Sequence, residues 1–180
     1  MHTNSTWYSS KSALSIAMIL AIGTMTGTAQ AASPQSSSLA VSATVTANCT
    51  IDASAGLSFG EYDTIGANLA DALSGEGSIS TTCTNGFTAK VTLGEGLNAD
   101  TASTGEIPLR RMLSGTDDYL SYQLCSDSNC GTVWGNTSDT GVDVVGTGAP
   151  VSTPVYGSIA GGQNVKVGNY SDTVLATVTF

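Results

Sequence analysis

The run Thr173-Val174-Leu175-Ala176-Thr177-Val178-Thr179-Phe180 decides the fold. Val174, Ala176, Val178 and Phe180 fall on one face, and a period of two is the signature of a strand. Those four residues are expected in the core. Read as the last strand of the chain, the run has nothing after it to cover its row of backbone groups, although proteins normally blunt such edges. It is therefore expected to accept a strand from elsewhere by β-augmentation.

A second alternating stretch lies near the other end: Leu39-Ala40-Val41-Ser42-Ala43-Thr44-Val45-Thr46-Ala47. Leu39, Val41, Ala43 and Val45 share one face and the hydroxyl residues Ser42, Thr44 and Thr46 the other. It follows a small, polar leader over residues 32–38 (ASPQSSS), so it reads as a spare strand able to fill another molecule's open edge, or as the domain's own first strand. Between the two stretches, strands are expected at Leu57–Tyr62, Gly77–Thr84, Thr88–Leu93, Tyr119–Cys125, Val142–Val145 and Val151–Ile159, and the final one over Asp172–Phe180. Turn signals separate them, at Asn85-Gly86, Gly94-Glu95-Gly96, Ser114-Gly115-Thr116-Asp117 and Gly161-Gly162-Gln163-Asn164. No helical periodicity is sustained; Ala67–Leu73 has room for one short turn. Many short strands at this spacing predict an antiparallel β-sandwich.

The first residues carry the parts of a secretory signal peptide: Lys11, an apolar run Ala13–Ile22 and the small-residue site Ala29-Gln30-Ala31. The run is about half the ~20 residues a membrane span needs, which disfavours an uncleaved anchor. Cleavage after Ala31 leaves one domain, residues 32–180. That part holds four basic against fourteen acidic residues, a formal charge of −10. Nucleic acid and anionic membranes, which select basic proteins, are poor partners for it, and no segment is suited to direct membrane insertion. The one histidine is His2, within the signal, so the exported part lacks imidazole for Ser-His-Asp or Cys-His catalysis and for metal ligation. Neither catalytic residues nor a cofactor or metal are expected.

Four cysteines in an exported chain read as disulfides. Three connectivities are possible. The turn-forming run Ser126-Asp127-Ser128-Asn129 between Cys125 and Cys130 favours closure of that loop on itself, which leaves Cys49–Cys83. Neither pair has the spacing of a zinc site.

Other features carry less. Trp134 and Tyr119 are read as core cover rather than ligand-stacking aromatics. Arg110-Arg111 is read as solvated surface. Asn136-Thr137-Ser138-Asp139 with Asp143 lacks the spacing of a calcium loop, and Asp117-Asp118 are turn residues.

Several pieces together resemble a known family. The run from Val155-Tyr156-Gly157-Ser158-Ile159 through Gly168-Asn169-Tyr170-Ser171-Asp172 to Phe180 looks like the end of a spore coat protein U domain; so do Asn48-Cys49-Thr50-Ile51, Leu57-Ser58-Phe59-Gly60, Tyr122-Gln123-Leu124 and Val133-Trp134-Gly135. The resemblance implies an incomplete immunoglobulin-like antiparallel β-sandwich that lacks its final strand, completed by a donor strand from a neighbour. It implies a subunit of archaic chaperone–usher pili, exported through the periplasm to a cell-surface fimbrium serving adhesion and biofilm formation. Its partners are identical or related pilin subunits, a periplasmic chaperone and an outer-membrane usher. The donor segment is placed at about residues 33–45, with Leu39, Val41, Ala43 and Val45 as its buried side chains. Val174, Ala176, Val178 and Phe180 form the acceptor and chaperone-binding edge. A pair like Cys49–Cys83 joins the first two strands in that family, whereas Cys125–Cys130 departs from many relatives. A spore-coat structural protein and a surface-binding adhesin of the same fold are the alternatives.

Overall fold

In the computed structural model, residues 31–180 are described; the export signal read over residues 1–31 lies outside them but for Ala31. The chain divides after Ser42 into two units. In the first, residues 31–42 are exposed and form no ladder.

The second unit, Ala43–Phe180, holds every strand found among the described residues: β1 (Cys49–Asp52), β2 (Leu57–Ser58), β3 (Leu73–Cys83), β4 (Thr88–Leu93), β5 (Arg110–Ser114), β6 (Asp118–Cys125), β7 (Val142–Val145), β8 (Val151–Ile159) and β9 (Ala176–Thr179). All pairings are antiparallel. One sheet runs β1-β3-β8-β6-β5, with β2 also paired to β3; the other runs β7-β4-β9. Among the described residues no helix is long and apolar enough to cross a membrane.

Alternation explains both sheets. Along β3, Ile79, Thr81 and Cys83 are buried and the intervening residues face out; along β8, Val155, Gly157 and Ile159 are buried. Turned inward, Ile79, Val91, Leu93, Leu120, Leu124, Val144, Val155 and Ile159 form the core around a fully buried Trp134, whose indole N–H donates to the Val91 carbonyl at 2.9 Å. Gly75 and Gly157 stand opposite each other in the β3–β8 ladder. Bare backbone there seats the Phe59 ring, since a Cβ on Gly157 would lie 2.6 Å from Phe59 Cζ.

Disulfides join Cys49 to Cys83 and Cys125 to Cys130. Cys49 and Cys83 face each other in the β1–β3 ladder, so that bond clamps an edge strand to its neighbour.

Several expectations are corrected. Ala47 and the residues before it, expected as a strand, join no ladder among the described residues; the Thr84 hydroxyl donates to the Thr46 carbonyl at 3.4 Å. A strand with no partner leaves its hydrogen bonds to water, so alternation alone does not make a ladder. The strand expected at Leu57–Tyr62 pairs only over Leu57–Ser58, and the last one only over Ala176–Thr179. β3 begins at Leu73, earlier than expected, and β5 was not anticipated as a strand, whereas the strand at Cys49 that the family resemblance implies is present as β1.

The Arg110-Arg111 pair is not solvated surface. Arg110 is 1% exposed. Its guanidinium donates to the carbonyls of Gly94, Leu93 and Trp134 at 2.8–2.9 Å, fastening the edge strand of one sheet to the other. Successive strand residues face opposite ways, so Arg111 points outward, to Asp100 at 3.0 Å and over the Tyr119 ring at 4.2 Å.

Candidate functional site

The C-terminal segment passes from one sheet to the other. Ser171 and Leu113 exchange backbone hydrogen bonds of 2.9 and 3.1 Å. Leu97 N–H then donates to the Thr173 carbonyl and Gly94 N–H to that of Leu175, at 3.1 and 2.8 Å. The ladder continues as Leu93↔Ala176, Thr92↔Thr177, Val91↔Val178 and Lys90↔Thr179.

Backbone direction alternates along an antiparallel pair. Because Thr173 and Leu175 accept from the β4 side, the backbone groups of Val174, Ala176 and Val178 face the other way, where no strand is paired. Their side chains are half-buried and pack against the core. This one segment therefore presents an unpaired edge beside apolar interior.

Across from it lies the edge made by β2 and the turn before it. No ladder joins β2 to β9 among the described residues, so the sandwich has an open seam there. The seam is a groove of about 370 Å³. Val174 and Ala176 form one wall and Ala53, Gly56, Leu57 and Phe59 the other; Ile79, Leu124 and Val155 lie at its base. An extended segment entering this groove meets backbone donors and acceptors at one side and apolar side chains beneath.

Asp172 pins the start of the acceptor segment. Its carboxylate accepts from Leu97 N–H at 3.0 Å, Asn98 N–H at 3.2 Å, the Asn98 amide at 3.0 Å and the Tyr122 hydroxyl at 2.7 Å. Burial foremost, then the bond to Asp172, pushes the Tyr122 phenol far above its ordinary pKa, so it remains a donor. Burial also lowers Arg110 to about 10, which leaves it charged at neutral pH.

Of the expected acceptor residues, Val174 and Ala176 lie on this wall, and Val178 packs on the core further along β9. Phe180 does neither: it follows the end of β9 at Thr179, is 54% exposed and does not pack on the core. Leu39, Val41 and Val45 are 88%, 85% and 83% exposed and Ala43 is exposed.

Asp172 and Arg110 were missed as positioning residues. A lone acidic residue just before an alternating strand was the one available signal for Asp172. Among the described residues no cluster of three metal-ligating side chains occurs; Asp143 instead pairs with Lys90 at 2.7 Å and Asp118 with Lys166 at 2.9 Å.

Residues 35–177 match the family model described as Spore Coat Protein U domain. The chain is 46% identical over 166 residues to Protein U of Myxococcus xanthus, covering 83% of this chain and 93% of that protein. Among solved structures it is similar to a chain in the CsuC–CsuE chaperone–tip adhesion subunit pre-assembly complex from archaic chaperone-usher Csu pili of Acinetobacter baumannii, with a TM-score of 0.46 and 19% identity. That match covers 76% of this chain and 40% of the other. It is also similar to HdaB, the Hda pilus minor tip subunit of E. coli, with a TM-score of 0.38, 17% identity, and 73% and 82% of the two chains covered.

Proposed function

The chain belongs to the spore coat protein U domain family, and on that premise we propose that it is a structural subunit of an extracellular pilus, assembled by donor-strand complementation through a chaperone–usher pathway. The observation that carries this reading is the open groove beside β9, in a chain that also holds an alternating apolar segment in solvent. Leu39, Val41, Ala43 and Val45 of one subunit enter the groove of the next, along Val174, Ala176 and Val178. A periplasmic chaperone fills the groove first, and an outer-membrane usher exchanges chaperone for subunit. The role is mechanical rather than enzymatic, and it serves adhesion and biofilm formation at the cell surface.

Physical complementarity supports the pairing. Each Leu or Val moved from water into the groove contributes about 1.5–3 kcal/mol, and each new backbone hydrogen bond about 0.5–1.5 kcal/mol. The contact is head-to-tail and does not close on itself, so it propagates as a filament.

The test is deletion of residues 32–42, and separately Val41→Asp, in the full precursor co-expressed with its chaperone, read by electron microscopy and size exclusion. The deleted subunit is expected to bind chaperone but form no fibres; Val41→Asp, which buries an unpaired charge, is expected to shorten or abolish them. Normal fibres from the deleted subunit would overturn the mechanism. The family's own description favours a second reading, a spore-coat structural protein assembled by the same strand exchange. Immunogold labelling of spores and of vegetative surfaces separates the two.

A further inference from the structure

A second cavity, of about 470 Å³, opens on the outer face of the larger sheet, among β5, β6 and β8. Its volume lies within the ~300–1,000 Å³ typical of ligand pockets. Tyr122 and Leu124 are buried in the core, so alternation turns Ser121 and Gln123 outward. Ser158 faces out likewise, between the buried Gly157 and Ile159.

β6 pairs with β8 only over Gln123–Cys125. Beyond that point Gln163 takes the place of a strand. Its side chain accepts from Ser121 N–H at 2.8 Å and donates to the carbonyls of Ser121 and Ala160 at 2.9 and 3.2 Å. The cleft is thus held open by hydrogen bonds rather than closed by a ladder. Arg111, fixed by Asp100 and by the carbonyls of Asn98 and Ala99, forms a second wall, and Leu109 adds an apolar surface.

Within this cleft Gln123 Oε1 is buried and accepts no hydrogen bond from the protein. Such atoms are rare in folded proteins and mark a missing donor. The missing partner must donate a hydrogen bond. Asp100 neutralises Arg111, and Arg110, which also lines the cleft, keeps its Nη1 buried without an acceptor, so the occupant must accept a hydrogen bond as well as donate one. Hydroxyls at Ser121 and Ser158 add groups that both donate and accept, and Leu109 suits a C–H surface.

We propose that this cleft binds a neutral, hydroxyl-rich ring: a hexose or N-acetylhexosamine unit of a surface polysaccharide. It lies on the outside of the sandwich and shares only Tyr122 with the lining of the donor groove, so a subunit can hold a sugar whether or not its groove is filled. The proposal does not rest on strand exchange.

The test is saturation-transfer NMR and calorimetry on the purified full chain with the methyl glycosides of glucose, galactose and N-acetylglucosamine. Acetate and N-acetyl-alanine amide serve as controls. At least one glycoside is expected to bind saturably. Gln123→Leu keeps the side chain's bulk and removes the acceptor, and should weaken binding about tenfold, the worth of one good hydrogen bond. Ser158→Phe, which fills the cleft from β8, should abolish binding while circular dichroism stays unchanged. Absence of saturable glycoside binding overturns the proposal, as does equal binding by both variants or preference for either control.

Discussion

The Tyr122 hydroxyl donates to Asp172 at 2.7 Å, and through that bond the middle of β6 holds the segment that leads into β9. The same carboxylate accepts from Leu97 and Asn98, so one side chain gathers two chain segments at the mouth of the groove. Removing it leaves several partly buried donors unmatched. Asp172→Ala is expected to destabilise the fold by about 1–3 kcal/mol, measured by urea unfolding, and to speed amide exchange at Leu97 and Asn98 selectively. A double-mutant cycle with Tyr122→Phe should return a coupling above about 0.5 kcal/mol; strict additivity would show that the pair does not act as a unit.

Titration gives an independent check on this contact. Burial raises the folded-state pKa of Tyr122, while an unfolded tyrosine ionises near 10. The stabilisation is therefore complete below about pH 10 and declines as pH rises further, because the unfolded state then holds fewer protons than the folded one. Arg110, lowered to about 10, contributes the opposite slope in the same window. Comparing the alkaline unfolding of the wild type with that of Tyr122→Phe isolates the phenol, and the variant is expected to lose less stability between pH 10 and 11.

Gly157 sets the depth of the groove. A Cβ there would meet Phe59 Cζ and Cε1 at 2.6 and 2.7 Å, and Phe59 lines the groove. Gly157→Val is expected to push the ring into the path of an incoming strand, costing about 1–3 kcal/mol of stability by overpacking and weakening capture of a peptide spanning residues 37–47. Shortening Phe59 to Leu in the same chain should restore part of both. Unchanged peptide capture by Gly157→Val would show that the ring yields elsewhere.

The two adjacent arginines differ in what their loss costs. Arg110→Met strands three carbonyls that now accept from one guanidinium, and about 3 kcal/mol or more of stability is expected to go with them. Arg110→Lys should recover only part, since an ammonium lacks the planar fork that reaches all three. Arg111→Ala removes a part-exposed pair with Asp100 and should cost under about 1 kcal/mol. Thermal unfolding of the three variants side by side measures the contrast.

Alternation in the sequence was enough to bound Thr88–Leu93, Val142–Val145 and Val151–Ile159 to the residue, because each carries its apolar period within its own length. It also set the inward face of Val174, Ala176 and Val178. The Cys125–Cys130 loop closure followed from the short turn-forming run Ser126-Asp127-Ser128-Asn129 between the two cysteines. Tertiary structure decided the rest. Arg-Arg-Met-Leu-Ser does not read as a strand, yet β5 forms because Tyr122, Ser121 and Leu120 stand opposite it and carbonyls from the other sheet satisfy the inward arginine. The groove, likewise, exists only because β2 and β9 belong to different sheets. Local pattern specifies which way a side chain points; which backbone edge finds a partner depends on strands distant in sequence, and no local period encodes that.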